Sequence, residues 1–147
     1  MTQTDIRPMT SGDLGVVLEM VEAIAAHHND PCALTPETLQ RDAFGWYHMI
    51  LAWSGDRPVG YAALLPTGQL QFGVRGIDIH HLFVCDGQRG QGVGKALIEA
   101  SLNHATAQGC AYVTVGTDPD NHAAQAAYEA CGFERRGGGG VRFSLRV

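Results

Sequence analysis

Apolar residues recur along the chain with two periods, and these lay out its elements. A short strand begins at Ile6 and ends at Pro8. Leu14, Val17, Leu18, Val21 and Ile24 then fall at helical spacing. Ser11 can cap this helix, which is expected to run to about His28 and stop at Asn29-Asp30-Pro31. Thr35-Pro36-Glu37 reads as an N-cap followed by proline at the first helical position, opening a short helix through Leu39 and Phe44 to Gly45. Residues 47–53 and 59–65, joined by Gly55-Asp56-Arg57-Pro58, read as a hairpin. Residues 67–76 are polar and contain glycine, which predicts a loop.

Ile77 to Cys85 is rich in Ile, Leu, Phe and Val and predicts a strand. Regular alternation would put Asp78, His80, Leu82 and Val84 on one face and Ile79, His81 and Phe83 on the other. From Val93, the residues Leu97, Ile98, Leu102 and Ala105 share one helical face, and Gly109 supplies the stop. A strand over 111–115, a loop at Thr117-Asp118-Pro119-Asp120 and a helix over 121–131 follow. Gly132 ends that helix, and Phe133 is expected to return into the core. Gly137 to Gly140 reads as a flexible turn, and Val141 to Val147 as a last strand. The order β-α-α-β-β-β-α-β-α-β predicts an α/β fold, a mixed sheet with helices on both faces. No internal repeat or linker interrupts it.

At 147 residues the chain is expected to form one domain, residues 1–147. Its net charge of −5 argues against nucleic acid and mildly favours cationic small molecules. No apolar run approaches the ~20 residues of a membrane helix, and the N-terminus MTQTDIRPM lacks a signal pattern, so the cytoplasm is expected and no membrane partner. Cys32, Cys85, Cys110 and Cys131 are scattered without a C-x-x-C pair. That spacing suggests small buried thiols in a reducing compartment rather than a metal site or disulfide framework. Phe44 and Trp46 are most simply core aromatics.

Candidate chemistry lies between the central strand and the helix from Val93, at Gln88-Arg89-Gly90-Gln91-Gly92-Val93-Gly94. A glycine-rich turn that leaves a strand and opens a helix points several backbone N–H groups one way, with the helix dipole behind them. That is an anion site, most naturally for phosphate or pyrophosphate. A Walker loop would need Gly where Arg89 stands and Ser or Thr where Ala96 stands, and the glycines at 90, 92 and 94 miss the dinucleotide spacing.

Arg89, Gly92 and Gly94 meet the pattern Arg/Gln-x-x-Gly-x-Gly/Ala, and this resembles the coenzyme A pyrophosphate loop of the GNAT superfamily of N-acetyltransferases. Downstream, Asn121-His-Ala-Ala-Gln-Ala-Ala-Tyr128-Glu-Ala-Cys-Gly132-Phe133 resembles the same superfamily's Asn-x-x-Ala-x-x-x-Tyr-x-x-x-Gly-Phe signature. The resemblance implies a central parallel strand pair that splays apart, with the pantetheine arm of acetyl-CoA lying in the gap. It implies acetyl-CoA as acyl donor, attack of an amine on its thioester, and a homodimer.

Roles then fall on named positions. The loop residues Arg89, Gly90, Gln91, Gly92, Val93, Gly94 and Lys95 would hold the pyrophosphate, with small residues needed at 90, 92 and 94. The strand residues Leu82, Phe83 and Val84 would border the cofactor, a backbone N–H near Val84 polarising the carbonyl. Tyr128, with a reference pKa of about 10, would protonate the departing thiolate. Asn121 would hydrogen-bond the pantetheine arm, cap its helix, or both. An alkylamine of pKa near 10.4 is about 0.1% neutral at pH 7, a handicap of roughly 4 kcal/mol. A base is therefore useful, and His80, directly or through water, is the candidate. Asp30, Trp46, Asp78 and His81, with Asp42, are candidates for lining the acceptor site.

The layout is also similar to the spermidine/spermine and thialysine acetyltransferase branch, but His80-His81 replaces the Glu-Asp usual there, which removes charge that would attract a polycation. The expected function is transfer of acetyl from acetyl-CoA, by direct attack, to a primary amine of a small molecule that is a diamine, a polyamine or amino-acid-like. The alternatives are a protein N-terminus or lysine as acceptor, and a non-catalytic acyl-CoA-binding module.

Overall fold

A computed structural model describes residues 3–137 and 140–147. The chain forms two compact units, Met1–Gly116 and Thr117–Val147.

The first unit is built on a five-stranded sheet in the order β1-β2-β3-β4-β5: Thr4–Pro8, His48–Ser54, Arg57–Gln69, Val74–Val84 and Tyr112–Val115. The first four strands pair antiparallel, and β4 pairs parallel with β5. Between β1 and β2 lie α1 (Leu14–His27) and α2 (Pro36–Ala43), and α3 (Val93–Ala107) joins β4 to β5. One sheet face carries Met49, Leu51, Trp53, Tyr61, Ala63 and Phe83, buried in one cluster with Val17, Met20 and Ile24 of α1 and Leu39 and Ala43 of α2. The alternate positions Ile50, Ala52, Ala62, Leu64, Ile77 and Ile79 are also buried, as are Leu97, Ile98, Ser101 and Ala105 of α3. Helices therefore cover both faces, as the α/β layering requires.

Local signals explain most boundaries. Thr35 caps α2 by accepting the Thr38 N–H at 3.2 Å, with Pro36 at the first position. Gly109, at φ +74°, follows α3 in the left-handed conformation that ends it. The first helix begins differently from expectation. Thr10, not Ser11, stands at the cap, the Asp13 carboxylate accepts its N–H at 2.8 Å, and Ser11–Asp13 form a 3₁₀ turn ahead of α1.

Residues 67–76 are not a loop. β3 runs to Gln69, Leu70–Phe72 form a 3₁₀ turn, Gly73 reverses the chain at φ +64°, and Gln69 pairs with Val74. Polarity misled here because this end of the hairpin is solvent-exposed, with Leu70 and Phe72 uncovered.

The second unit contains α4 (His122–Ala130), capped by the Asn121 side chain and ended at Gly132 (φ +95°). Phe133 returns only as far as a half-buried packing on Tyr128, ring centroids 6.0 Å apart. The last strand is absent. Residues 140–147 have no regular structure, and Val141, Phe143, Leu145 and Val147 are exposed. Their alternation suits a strand, but the segment has no ladder partner among the described residues, and a lone strand is not stable. The turn expected at Gly137 to Gly140 falls partly outside the described residues.

Candidate active site

The parallel ladder between β4 and β5 covers only Gly76 to Ile79 against Tyr112 to Val115. β4 continues to Val84, so from His80 onward it has lost its parallel neighbour, and the pair opens. Cys85 N–H donates to the Val59 carbonyl of β3 at 2.9 Å. By the alternation of an antiparallel ladder, the N–H and C=O groups of Leu82 and Val84 therefore point away from β3, into the opening. The Val84 carbonyl indeed accepts Arg89 Nε at 3.3 Å.

The opening begins at a β-bulge. Ala63 pairs with His81 but Leu64 pairs with Ile79, which leaves His80 as an extra residue on β4. The bulge overturns the expected sharing of faces. Ile79 lies opposite Leu64 on the α3 side, while His81 and Phe83 lie opposite Ala63 and Tyr61 on the α1/α2 side. Leu82 and Val84, opposite Ala62 and Gly60, do not share a face with His80, whose ring stacks on that of His81 at 4.5 Å. His80 thus meets the opening through the strand edge rather than through a common face with Val84.

The two histidines are held differently. His80 is exposed and lies between Tyr47, 5.6 Å away ring to ring, and His81. His81 is half-buried, and its Nδ1 is 3.0 Å from the Tyr61 hydroxyl. Burial, then the neighbouring His80 and His28, pulls His81 down to about 4, so it is neutral at pH 7. Burial pushes the Tyr61 phenol well above its ordinary value. Tyr61 is thus a permanent donor, which assigns the lone pair of His81 to Nδ1 and its proton to Nε2. Neither Tyr47 nor Tyr61 was singled out from sequence. Tyr61 lies in an apolar strand where a phenol looks like core, and Tyr47 at the edge of a hairpin.

Other acceptor-site candidates are differently employed. Asp78 accepts the Thr114 hydroxyl at 2.7 Å across the β4–β5 ladder. Asp42 is held by Arg41 through two hydrogen bonds of 2.7 and 2.8 Å, which keep it below the usual carboxylate range. Asp30 is exposed. Phe44 and Trp46 are not core aromatics: they are 45% and 69% exposed, because the chain leaves α2 at the sheet's margin. The cysteines are free, Cys32 exposed and the others half-buried, less enclosed than expected.

Beyond β4, Gly87, Gly90 and Gly92 have φ of +82°, +78° and +83°, conformations that glycine adopts without strain. Gly92 is the N-cap of α3, and the first helical bond runs from Ala96 N–H to the Gly92 carbonyl at 3.0 Å. The N–H groups ahead of it have no acceptor within the helix and are available to an anion. Gly90 and Gly92 are thus required by backbone conformation. Gly94 is not, since a Cβ there would meet only Val84 Cγ2 at 3.7 Å. Gln91 and Arg89 brace the loop, Gln91 Nε2 to the Gly87 carbonyl at 3.2 Å and Arg89 to Asp86 at 3.3 Å. Lys95 faces Glu99 at 4.0 Å, and Val93 is buried under the turn.

In the second unit, Asn121 Oδ1 accepts the Ala124 N–H at 3.1 Å, the capping role. Tyr128 is half-buried, and burial raises its phenol above the ordinary value.

A family model described as the Acetyltransferase (GNAT) family matches residues 19–133. N-acetyltransferase 8B of Rattus norvegicus is 31% identical over 110 residues, 75% of this chain and 48% of that protein. A mycothiol acetyltransferase of Streptomyces scabiei is 33% identical over 112 residues, 74% of this chain and 35% of that protein. The chain thus spans less than half the length of these curated relatives. Among solved structures, an aminoglycoside acetyltransferase from an uncultured soil metagenomic sample superposes with a TM-score of 0.81 over 97% of both chains, at 20% identity, a likeness of fold. The loop, the opened strand pair and a family match over most of the sequence agree, and the chain belongs to the Acetyltransferase (GNAT) family.

Proposed function

We propose that this chain is an N-acetyltransferase that moves the acetyl group of acetyl-CoA to a primary amine of a small molecule. The observation that carries this reading is the continuity of one path: β4 outruns β5 after Ile79 and leads directly into the glycine-turned start of α3. An extended arm ending in a pyrophosphate fits such a gap with an anion-binding end. Acetyl-CoA, when bound, supplies a thioester carbonyl to an attacking amine.

The chain's own groups then divide the work. N–H groups at the start of α3 take the pyrophosphate, and Arg89 and Lys95 add positive charge that Asp86 and Glu99 partly offset. The Val84 N–H donates to the carbonyl oxygen, a fixed dipole of a kind worth about 2.7–4 kcal/mol in oxyanion sites. His80 accepts the amine proton, directly or through water. Its ring is kept in place between Tyr47 and a neutral His81, whose tautomer Tyr61 sets. Tyr128 gives a proton to the departing sulfur, a role resting on its motif and on a phenol that burial keeps protonated.

On the acceptor side, Asp78 and Asp42 are engaged by Thr114 and Arg41. The Asp42–Arg41 pair takes up one carboxylate, and His80-His81 stand where the spermidine/spermine branch carries Glu-Asp, which disfavours a polycation. A small-molecule acceptor is in keeping with the similarity to a mycothiol acetyltransferase. The test is CoA release from acetyl-CoA with small amines by wild type, His80→Ala and Tyr128→Phe. Each variant is expected to lose about 10²-fold or more in kcat while still binding acetyl-CoA. Unchanged kcat in both variants would overturn the assignment of base and acid.

A further inference from the structure

A cavity of about 670 Å³ lies in the first unit, away from the glycine turn. It is lined from the end of α2, the start of β2, the Gly76 end of β4 and the C-terminal part of α3. From Gly76 to Val84 the strand advances roughly 26 Å at ~3.3 Å per residue. From Val93 to His104 the helix advances roughly 16 Å at ~1.5 Å per residue. The cavity is therefore at the opposite pole of the β4–α3 unit from the anion turn, and its volume is within the range of small-molecule sites.

Its lining has a definite chemical character. Phe44, Trp46 and Tyr47 contribute aromatic surface, and Trp46 is 69% exposed, an unusual place for an indole with no function. His48 and His104 stack with ring centroids 3.7 Å apart and planes 5° from parallel, a flat double imidazole joining β2 to α3. Burial holds both below the ordinary histidine range, His104 lowering His48 further. At neutral pH this surface is thus uncharged and suited to stacking. Arg75 is the one fixed charge in the lining, and its side chain has no ion pair among the described residues. Its backbone is anchored where its carbonyl accepts the Ala111 N–H at 2.7 Å. No Asp or Glu lines the cavity, in a chain with 15 acidic residues against 10 Lys and Arg.

We propose that this cavity is a second small-molecule site, separate from the acetyl-transfer site, and that it binds a planar aromatic carboxylate. The ring lies against the aromatic and imidazole surface, and the carboxylate pairs with Arg75, which offers a planar fork to it. A cationic amine finds no counter-charge here, so the cavity does not serve as a polyamine site. Tyr47 lines the cavity and also stacks on His80, so the two sites share a side chain.

The test is isothermal titration calorimetry without acetyl-CoA, using 2-naphthoate and its neutral isostere 2-naphthamide on wild type, Arg75→Gln and Trp46→Ala. Both substituted residues are exposed, and thermal melts check that the variants fold. Expected is saturable binding of 2-naphthoate, at least tenfold tighter than 2-naphthamide. Arg75→Gln should remove that difference without changing 2-naphthamide affinity, and Trp46→Ala should weaken both ligands at least threefold. Absence of saturable 2-naphthoate binding, equal affinity for the two ligands in wild type, or affinity unaltered by Arg75→Gln would each overturn the proposal. Failure of acetyl transfer in a separate assay would leave this result standing, since no step of it uses acetyl-CoA.

Discussion

At the scale of single residues, much of the candidate chemistry depends on who holds a proton. Tyr61 is fully buried, and its hydroxyl meets His81 Nδ1 at 3.0 Å. Tyr61→Phe leaves that nitrogen without its donor, so a loss of about 1 kcal/mol is expected in denaturant unfolding. The freed His81 ring should also lower kcat more than it raises KM, because it no longer steadies His80. Tyr128 differs, since its phenol must donate. Burial moves its deprotonation above the free value of about 10. The alkaline fall of kcat assigned to it should therefore come above that pH in wild type and vanish from the residual activity of Tyr128→Phe. Arg89, Gly92, Asn121 and Tyr128, whose roles belong to the proposal, were legible in the sequence as positions of motifs that resemble the family's. Tyr47, Tyr61, His48 and His104 were not, because their partners come from other elements and no local pattern announces them.

Among the elements, the central strand decides most. Its apolar run was legible, as were α3, the capping of α2 and the order of the elements along the chain as far as α4. The bulge was not, since it is set by where Ala63 and Leu64 pair, and one extra residue reverses every later side chain. The C-terminal alternation failed for a related reason: period two marks a residue's fitness for a ladder, not the presence of a partner. Two glycines differ in what a Cβ would meet. A Cβ on Gly60 would lie 2.5 Å from the Phe83 carbonyl oxygen, inside the β3–β4 ladder. Gly60→Ala is expected to cost about 1–3 kcal/mol in thermal or denaturant unfolding. Gly94→Ala meets only a methyl at 3.7 Å and should stay within about 0.5 kcal/mol of wild type. The loop pattern itself accepts Gly or Ala at this position, so Gly94→Ala should also bind acetyl-CoA within about threefold of wild type, read by calorimetry.

For the whole molecule, three histidines set the response to acid. His81 is pulled to about 4, and His48 and His104 are also lowered, all mainly by burial. In the unfolded chain these groups return to about 6.5. Between those values the unfolded state binds more protons, so stability rises with pH there and is lost as pH falls from about 6.5 towards 4. Allowing for its partial exposure, the His81 contribution is on the order of 1–2 kcal/mol. Melting temperature should fall through that window, less steeply in His81→Gln. Among the described residues no helix is long and apolar enough to cross a membrane.

The most direct measurement at this scale is a paired product balance on wild type with acetyl-CoA and a panel of small primary amines: free CoA thiol by colour reaction and N-acetyl product by mass spectrometry. Equal amounts of the two products with at least one amine, and neither product without acetyl-CoA, is the expected result. Acetyl-CoA that binds but yields no N-acetyl product with any amine, including a peptide, would contradict it and leave an acyl-CoA-binding module.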